Sequence, residues 1–193
     1  MKGIVLLVVF LLGSVVYAQA KKPVPAKKAP PKKVETVQDE NWIGIQAHYL
    51  TNSTPAGKVN GYAAGGGLQF EPDFLNISES MKMGYIMEYA RSTGGADYKM
   101  FNNILYLQYH KVIGGSKILD FYGNLGVGGS YVSYTKDKEK FEGLDPMLMT
   151  EIGWQGLKFS NFVVRVGLRG NLIVEKYIAY GSGGLQVSFL MSF

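Results

Sequence analysis

Residues 183–193 read GGLQVSFLMSF. Counting back from the last residue, Phe193, Met191, Phe189, Val187 and Leu185 are apolar at a spacing of two, and Ser192, Ser188, Gln186 and Gly184 fill most of the gaps. A period of two is that of a strand with two unlike faces. The strand runs to the last residue given, and its edge is expected to find a partner elsewhere in the fold.

The same pattern recurs upstream. WIGIQAHYL, GYAAGGGLQF, KMGYIMEYA, FNNILYLQYHK, LDFYGNLGVGGSYVSY, PMLMTEIGWQGLK and NFVVRVGLRGN alternate in the same way, which makes eight segments with the last. Gly, Pro, Asn, Asp, Ser and Lys fill the breaks, as turns require. Most segments have the roughly 9–11 residues that a tilted membrane-spanning strand needs. No stretch has convincing helical periodicity, although EPDFLNISES has room for a short helical turn.

One face of these strands is uncharged. It carries Ile43, Ile45, Tyr49, Leu68, Tyr85, Met87, Leu105, Leu125, Val127, Leu148, Ile152, Val164, Leu168 and Leu185 to Phe193. The other face carries Gln46, His48, Gln69, Glu88, Gln108, His110, Asp120, Asn124, Glu151, Gln155, Arg165, Arg169 and Gln186. Either the polar face meets water around an apolar core, as in a soluble lipocalin-like carrier of an apolar ligand, or the apolar face meets lipid. Aromatic placement favours lipid. With strand one starting on the inner side, Tyr49, Tyr62, Tyr89, Phe101 and Tyr131 fall near the outer end, and Phe70, Tyr109, Phe121, Trp154, Phe162 and Phe193 near the inner end. Paired aromatic belts mark membrane barrels. The connections fit that orientation, with short inner turns at IGGSK and FSN and a long outer loop at TKDKEKFEGLD; the inner connection around Pro72 to Ser80 is longer than the rule predicts.

With its export leader, eight amphipathic strands and a final strand ending in Phe193, the chain resembles the small outer-membrane β-barrels of the OmpA and OmpX type over about residues 41–193. The resemblance implies an eight-stranded antiparallel up-and-down transmembrane β-barrel, in which the last strand pairs with the first and closure removes both edges. It also implies that Phe193, Met191 and Phe189 form the signal read by the barrel assembly machinery.

An eight-stranded barrel is just wide enough for its own side chains. Inward Gly65, Gly67, Gly126 and Gly128 are expected to leave room for Arg165 and Arg169. Facing residues of a hairpin share a face, so their numbers must add to an even number. A three-residue loop Phe159-Ser160-Asn161 sets Glu151 opposite Arg169 and Gln155 opposite Arg165, an interior network with Glu88 as a further candidate partner. Its roles are a structural plug or a gate that rearranges to pass ions. His48 and His110 are expected at opposite ends of the interior and no Ser/His/acid grouping stands out, so lipid-modifying chemistry is the weakest reading, and no cofactor or metal is expected.

The leader MKGIVLLVVFLLGSVVYAQA has Lys2, an apolar run from Ile4 to Leu12 and Ala18-Gln19-Ala20, the pattern of a cleaved secretory signal peptide; the alternative is an uncleaved anchor. Residues 21–40, KKPVPAKKAPPKKVETVQDE, hold six Lys, four of the seven Pro and no aromatic residue, and read as a stiff solvated periplasmic tether. Residues 41–193 carry 13 Lys and Arg against 12 Asp and Glu, so the net charge of +5 comes largely from the leader and tether and gives no reason to infer nucleic-acid binding. With no Cys, the chain has no disulfide and no thiolate ligand. The expected product is a monomer in a Gram-negative outer membrane with a structural or adhesive role. Its partners would be outer-membrane lipid, the barrel assembly machinery and, through residues 21–40, peptidoglycan.

Overall fold

The computed structural model describes residues 40–53, 59–92, 98–115, 118–136, 139–174 and 179–193. The leader and almost all of the tether, and with them the expected signal peptide and tether assignments, lie outside these residues.

Among the described residues there are nine strands: β1 Trp42–Ser53, β2 Val59–Glu71, β3 Asn76–Ser78, β4 Met81–Ser92, β5 Tyr98–Val112, β6 Asp120–Lys136, β7 Glu139–Phe159, β8 Phe162–Val174 and β9 Ala179–Ser192. All but β3 form a closed barrel of eight antiparallel strands. Each pairs with its neighbour in sequence, β2 pairs with β4, and β9 pairs with β1 from Trp42↔Ser192 to Ser53↔Gly181. The last residue is held too, its amide donating to the Asn41 carbonyl at 3.1 Å. The edge problem posed by residues 183–193 is thus solved by closure.

Facing outward residues trace the tilt. Ile152, Leu168, Leu185, Tyr49, Ala64, Arg91, Lys99, Ser133 and Glu142 are successive partners, and one circuit returns to β7 ten residues nearer its outer end. Such a stagger requires strands tilted to the barrel axis. A row across the strands therefore climbs by about one and a quarter residues per strand, which sets the level of every side chain described below.

The apolar face is outside. Ile45, Leu125, Ile152 and Leu185 are 59–67 % exposed, while Gln46, Glu88, Glu151 and Arg169 are buried. This is the reverse of a soluble carrier. Both aromatic belts also lie outside: Tyr49 stacks on Tyr62 with centroids 5.3 Å apart at the outer end, and Phe162 stacks on Phe189 at 6.2 Å at the inner end.

The connections correct the sequence reading in four places. The inner link after β2 is a 3-10 turn, Asp73–Leu75, followed by β3, which folds back on β4; this accounts for its length. The link after β5 runs from Ile113 to Leu119, longer than IGGSK. Gly114 and Gly115 turn it at φ of 63° and 72°, where a Cβ is disfavoured. The hairpin at FSN has a two-residue turn, because Phe159 faces Phe162. Its parity is restored by a β-bulge between Trp154 and Leu157, so Glu151 still faces Arg169. Finally, TKDKEKFEGLD is mostly strand: β6 and β7 stay paired from Tyr131↔Leu144 to Lys136↔Glu139. Beyond the membrane both faces of a ribbon are wet, so the period-two signal vanishes although the strands continue.

Candidate functional site

The site that the sequence singles out is the interior, where β8 supplies both arginines. Arg169 reaches Glu88 on β4, four strands away around the eight and so on the opposite wall. The pair is bidentate: Arg169 Nη1 donates to Glu88 Oε2 and Nη2 to Oε1, both at 2.7 Å. Glu88 also accepts from Gln46 Nε2 at 2.6 Å and Asn102 Nδ2 at 2.8 Å. Arg169 donates to Asn171 Oδ1 and Gln186 Oε1, each at 2.9 Å. A buried ion pair persists only where such further hydrogen bonds satisfy both groups.

Nearer the inner end, Arg165 pairs with Glu71 on β2. Its Nη1 contacts Glu71 Oε1, and its Nη2 donates to Oε2 at 3.0 Å. Tyr106 Oη and Gln69 Nε2 donate to Glu71 at 2.5 and 3.0 Å, and Lys82 completes the cluster as a second cation on the same carboxylate. Arg165 Nε donates to Gln155 Oε1 at 2.9 Å, the contact expected from the sequence, made here from within the bulge. Gln155 Nε2 continues to Asp120 Oδ2 at 3.2 Å, where Lys158 forms an ion pair and His110 Nδ1 lies 3.4 Å from the other carboxylate oxygen.

Glu151 differs from the expectation. It faces Arg169 in the backbone register but makes no ion pair with it; it accepts from Tyr122 Oη, from Asn124 Nδ2 at 2.9 Å and from Gln186 Nε2 at 3.2 Å. The register brings Cα atoms together, whereas the long guanidinium crosses the lumen to the carboxylate at its own height. Glu71, Lys82, Asn102, Tyr106 and Tyr122 were missed as network members. Glu71 shares the parity of Gln69, and Lys82 that of Glu88, so continuing the alternation to the strand ends would have found both.

The glycine reading is also corrected. A Cβ at Gly65 would lie 2.4 Å from His48 Nε2, and one at Gly67 would lie 2.6 Å from Glu88 Cβ. Gly126 makes room for Ile104 and Met149, and at Gly128 the space is limited by the Asn103 carbonyl. The large groups seated on glycine are tyrosines: Tyr106 over Gly84, and Tyr122 over Gly153 and Gly167. The Tyr122 ring in turn stands 5.5 Å from the Arg165 guanidinium carbon, a cation–π distance.

An apolar cluster packs beside and above the Arg169–Glu88 pair in the lumen, and the polar Asn102, Ser130 and Asn171 are buried among it. Ala63, Ile86, Ala90, Met100, Ile104, Met147, Met149 and Ile173 form one buried cluster, with Tyr98, Val132 and Tyr180 against it. Ile104, Met147, Met149 and Ile173 lie in runs that break alternation (ILYL, PMLM, NLIV), which was the available signal for that part of the cluster. His48 is buried between this belt and Glu88, its Nδ1 3.7 Å from Glu88 Oε2. Among the described residues, no group of three His, Asp or Glu is arranged to hold a metal.

No family model and no curated protein matches this sequence. Solved structures do. The Neisserial surface protein A crystal structure matches with a TM-score of 0.65 at 12 % identity, covering 79 % of this chain and 97 % of that one. The crystal structure of Ail, the attachment invasion locus protein of Yersinia pestis, matches with a TM-score of 0.51 at 14 % identity over 79 % of this chain and 99 % of that one. These likenesses are to small outer-membrane β-barrels, and the chain has their fold.

Proposed function

We propose that this protein is an exported outer-membrane barrel that carries no current through its lumen and acts at the cell surface as a structural or adhesive element. The observation that carries this reading is the filled interior: two ion-paired clusters crossing the lumen, with an apolar cluster packed beside and above the outer one. Water could enter only by breaking charge-assisted hydrogen bonds or wetting Met147, Met149 and Ile104. In this reading the network is a plug, and no residue is assigned to catalysis.

Adhesion is supported by the β6–β7 hairpin. Past Tyr131 it runs on to Lys136, roughly 15 Å of ribbon. This paired ribbon, extending past the rows of outward residues that face lipid, would offer the surface that meets a partner. Export would use residues 1–20, and insertion would use Phe193, Met191 and Phe189 as the assembly signal. Residues 21–40 would lie in the periplasm, their six Lys attracted to peptidoglycan carboxylates.

The test is paired. The purified protein in planar bilayers should give no steady conductance, and cells making a form with residues 132–143 replaced by a short turn should keep the barrel and lose surface attachment. Steady channels in the intact protein would refute the plug, and unchanged attachment by the shortened form would refute the adhesive role of the hairpin.

A further inference from the structure

We propose that two copies of this barrel associate side by side in the membrane through the face made by β5, β6 and β7, with Asn103 of each copy hydrogen-bonded to Thr150 of the other. The proposal rests on the membrane reading above and puts a symmetric pair in place of the monomer expected from the sequence.

Between the two aromatic belts the described outward side chains are almost all apolar. The non-aromatic polar ones among them are Asn103 on β5, one pleat inward of Phe101, and Thr150 on β7, two pleats outward of Trp154. Both therefore sit at acyl-chain depth. Asn103 Oδ1 accepts from Tyr85 Oη at 2.5 Å, which satisfies the tyrosine but leaves the amide nitrogen without an acceptor among the described residues. Thr150 is exposed, with its hydroxyl on the side of Gly170, and it too donates to no described residue. Water does not reach such donors in hydrocarbon, so each costs free energy until a protein group meets it.

The two residues are neighbours. One strand, β6, separates them, and its Val127 stands between them, 55 % exposed. In the strand rows Asn103 faces Gly129 and then Pro146, four residues outward of Thr150. The climb of the rows takes back about two and a half of those four, which leaves the two side chains within about 5 Å of one depth. A two-fold axis along the membrane normal through Val127 therefore sets Asn103 of one copy opposite Thr150 of the other, and the reverse, as an isologous interface requires. Amide and hydroxyl each carry both a donor and an acceptor, so each can satisfy the other. Gly129 and Gly170, the direct partners of Asn103 and Thr150, carry no side chain to hold the two surfaces apart.

The test uses the mature protein refolded in detergent, with association measured by sedimentation equilibrium. A hydrogen bond between membrane-buried side chains is worth roughly threefold in association, and the interface has two, so N103V and T150V should each weaken the dimer roughly tenfold. The double variant N103V/T150V should lose no more than either alone, because each single change already breaks both contacts, and T150S should associate as the parent does. In vesicles, oxidation should join Val127→Cys chains into dimers, whereas Ala47→Cys chains, labelled four strands away on the opposite wall, should stay single. A parent that is monomeric at every concentration would overturn the interface, and so would dimers unaffected by N103V and T150V, a hundredfold loss in the double variant, or equal cross-linking through Ala47→Cys. Failure of the parent protein to enter vesicles at all would instead overturn the membrane reading, and the interface with it.

Discussion

Replacing Glu88 by Gln tests the interior most sharply. Glu88 receives two hydrogen bonds from Arg169 and one each from Gln46 and Asn102. The amide can accept at one oxygen only, so Arg169 is left with a buried charge held by the neutral oxygens of Asn171 and Gln186. Breaking a buried pair in this way costs about 3–5 kcal/mol, whereas replacing both partners by well-packed neutral groups is often close to neutral. E88Q and R169M should therefore each lower stability by about 3–5 kcal/mol, and the double variant should recover most of one loss, a coupling of about 2–3 kcal/mol. Glu151 supplies the contrast. It reaches Arg169 only through Gln186, so E151Q should cost about 1–3 kcal/mol, with a coupling to R169M below about 1 kcal/mol. The assay is urea-induced unfolding of the refolded protein in detergent, followed by tryptophan fluorescence and by the gel shift of the folded form. Strong coupling of Glu151 with Arg169 and none of Glu88 would show that the guanidinium does not cross the lumen.

Three further outcomes follow from single features. Gly84→Val should destabilise the barrel by about 1–3 kcal/mol in the same assay, because a Cβ there falls 2.3 Å from Tyr106 Oη and disturbs the ring that serves Glu71. Deleting Phe193 removes the terminal ring and the hydrogen bond to Asn41; fractionation at native expression should show less protein in the outer membrane and more in the periplasm, and unchanged levels would count against the assembly signal. A form beginning at Val37 should lose sedimentation with purified peptidoglycan, and the binding of the mature protein should weaken with added salt, since attraction of exposed lysines is screened over about 10 Å at 0.1 M; equal sedimentation of both forms would leave residues 21–40 as a spacer.

The barrel was legible because its lipid-facing residues repeat every second position over most strands, and a single slip in register would turn that whole face inward. What the period cannot carry is anything that depends on a partner several strands away. Residues 151 and 169 follow from hairpin parity, but the Arg169–Glu88 pair spans four strands and is set by tilt and stagger, which no local pattern encodes. The bulge at Trp154 to Leu157 was hidden because a three-residue loop and a two-residue turn plus bulge give the same parity at Glu151. The apolar belt was overlooked for a different reason. Met100, Ile104, Met147 and Met149 occupy the inward parity, where only polar residues were sought. The outer β6–β7 ribbon was read as loop because neither of its faces meets lipid there, which removes the hydropathy contrast while leaving the strand pairing intact.

The central claim is that one face of this barrel meets lipid and the other is sealed from it. The chain has no Cys, so single cysteines can be introduced and spin-labelled without background. Ile152→Cys, Leu125→Cys and Leu185→Cys occupy the middle of the outward face, and Ser130→Cys and Ser188→Cys lie inside. In vesicles, the three outward labels should collide readily with oxygen and hardly at all with a water-soluble nickel complex, and the two inward labels should be shielded from both. Outward labels open to the nickel complex and closed to oxygen would contradict the account.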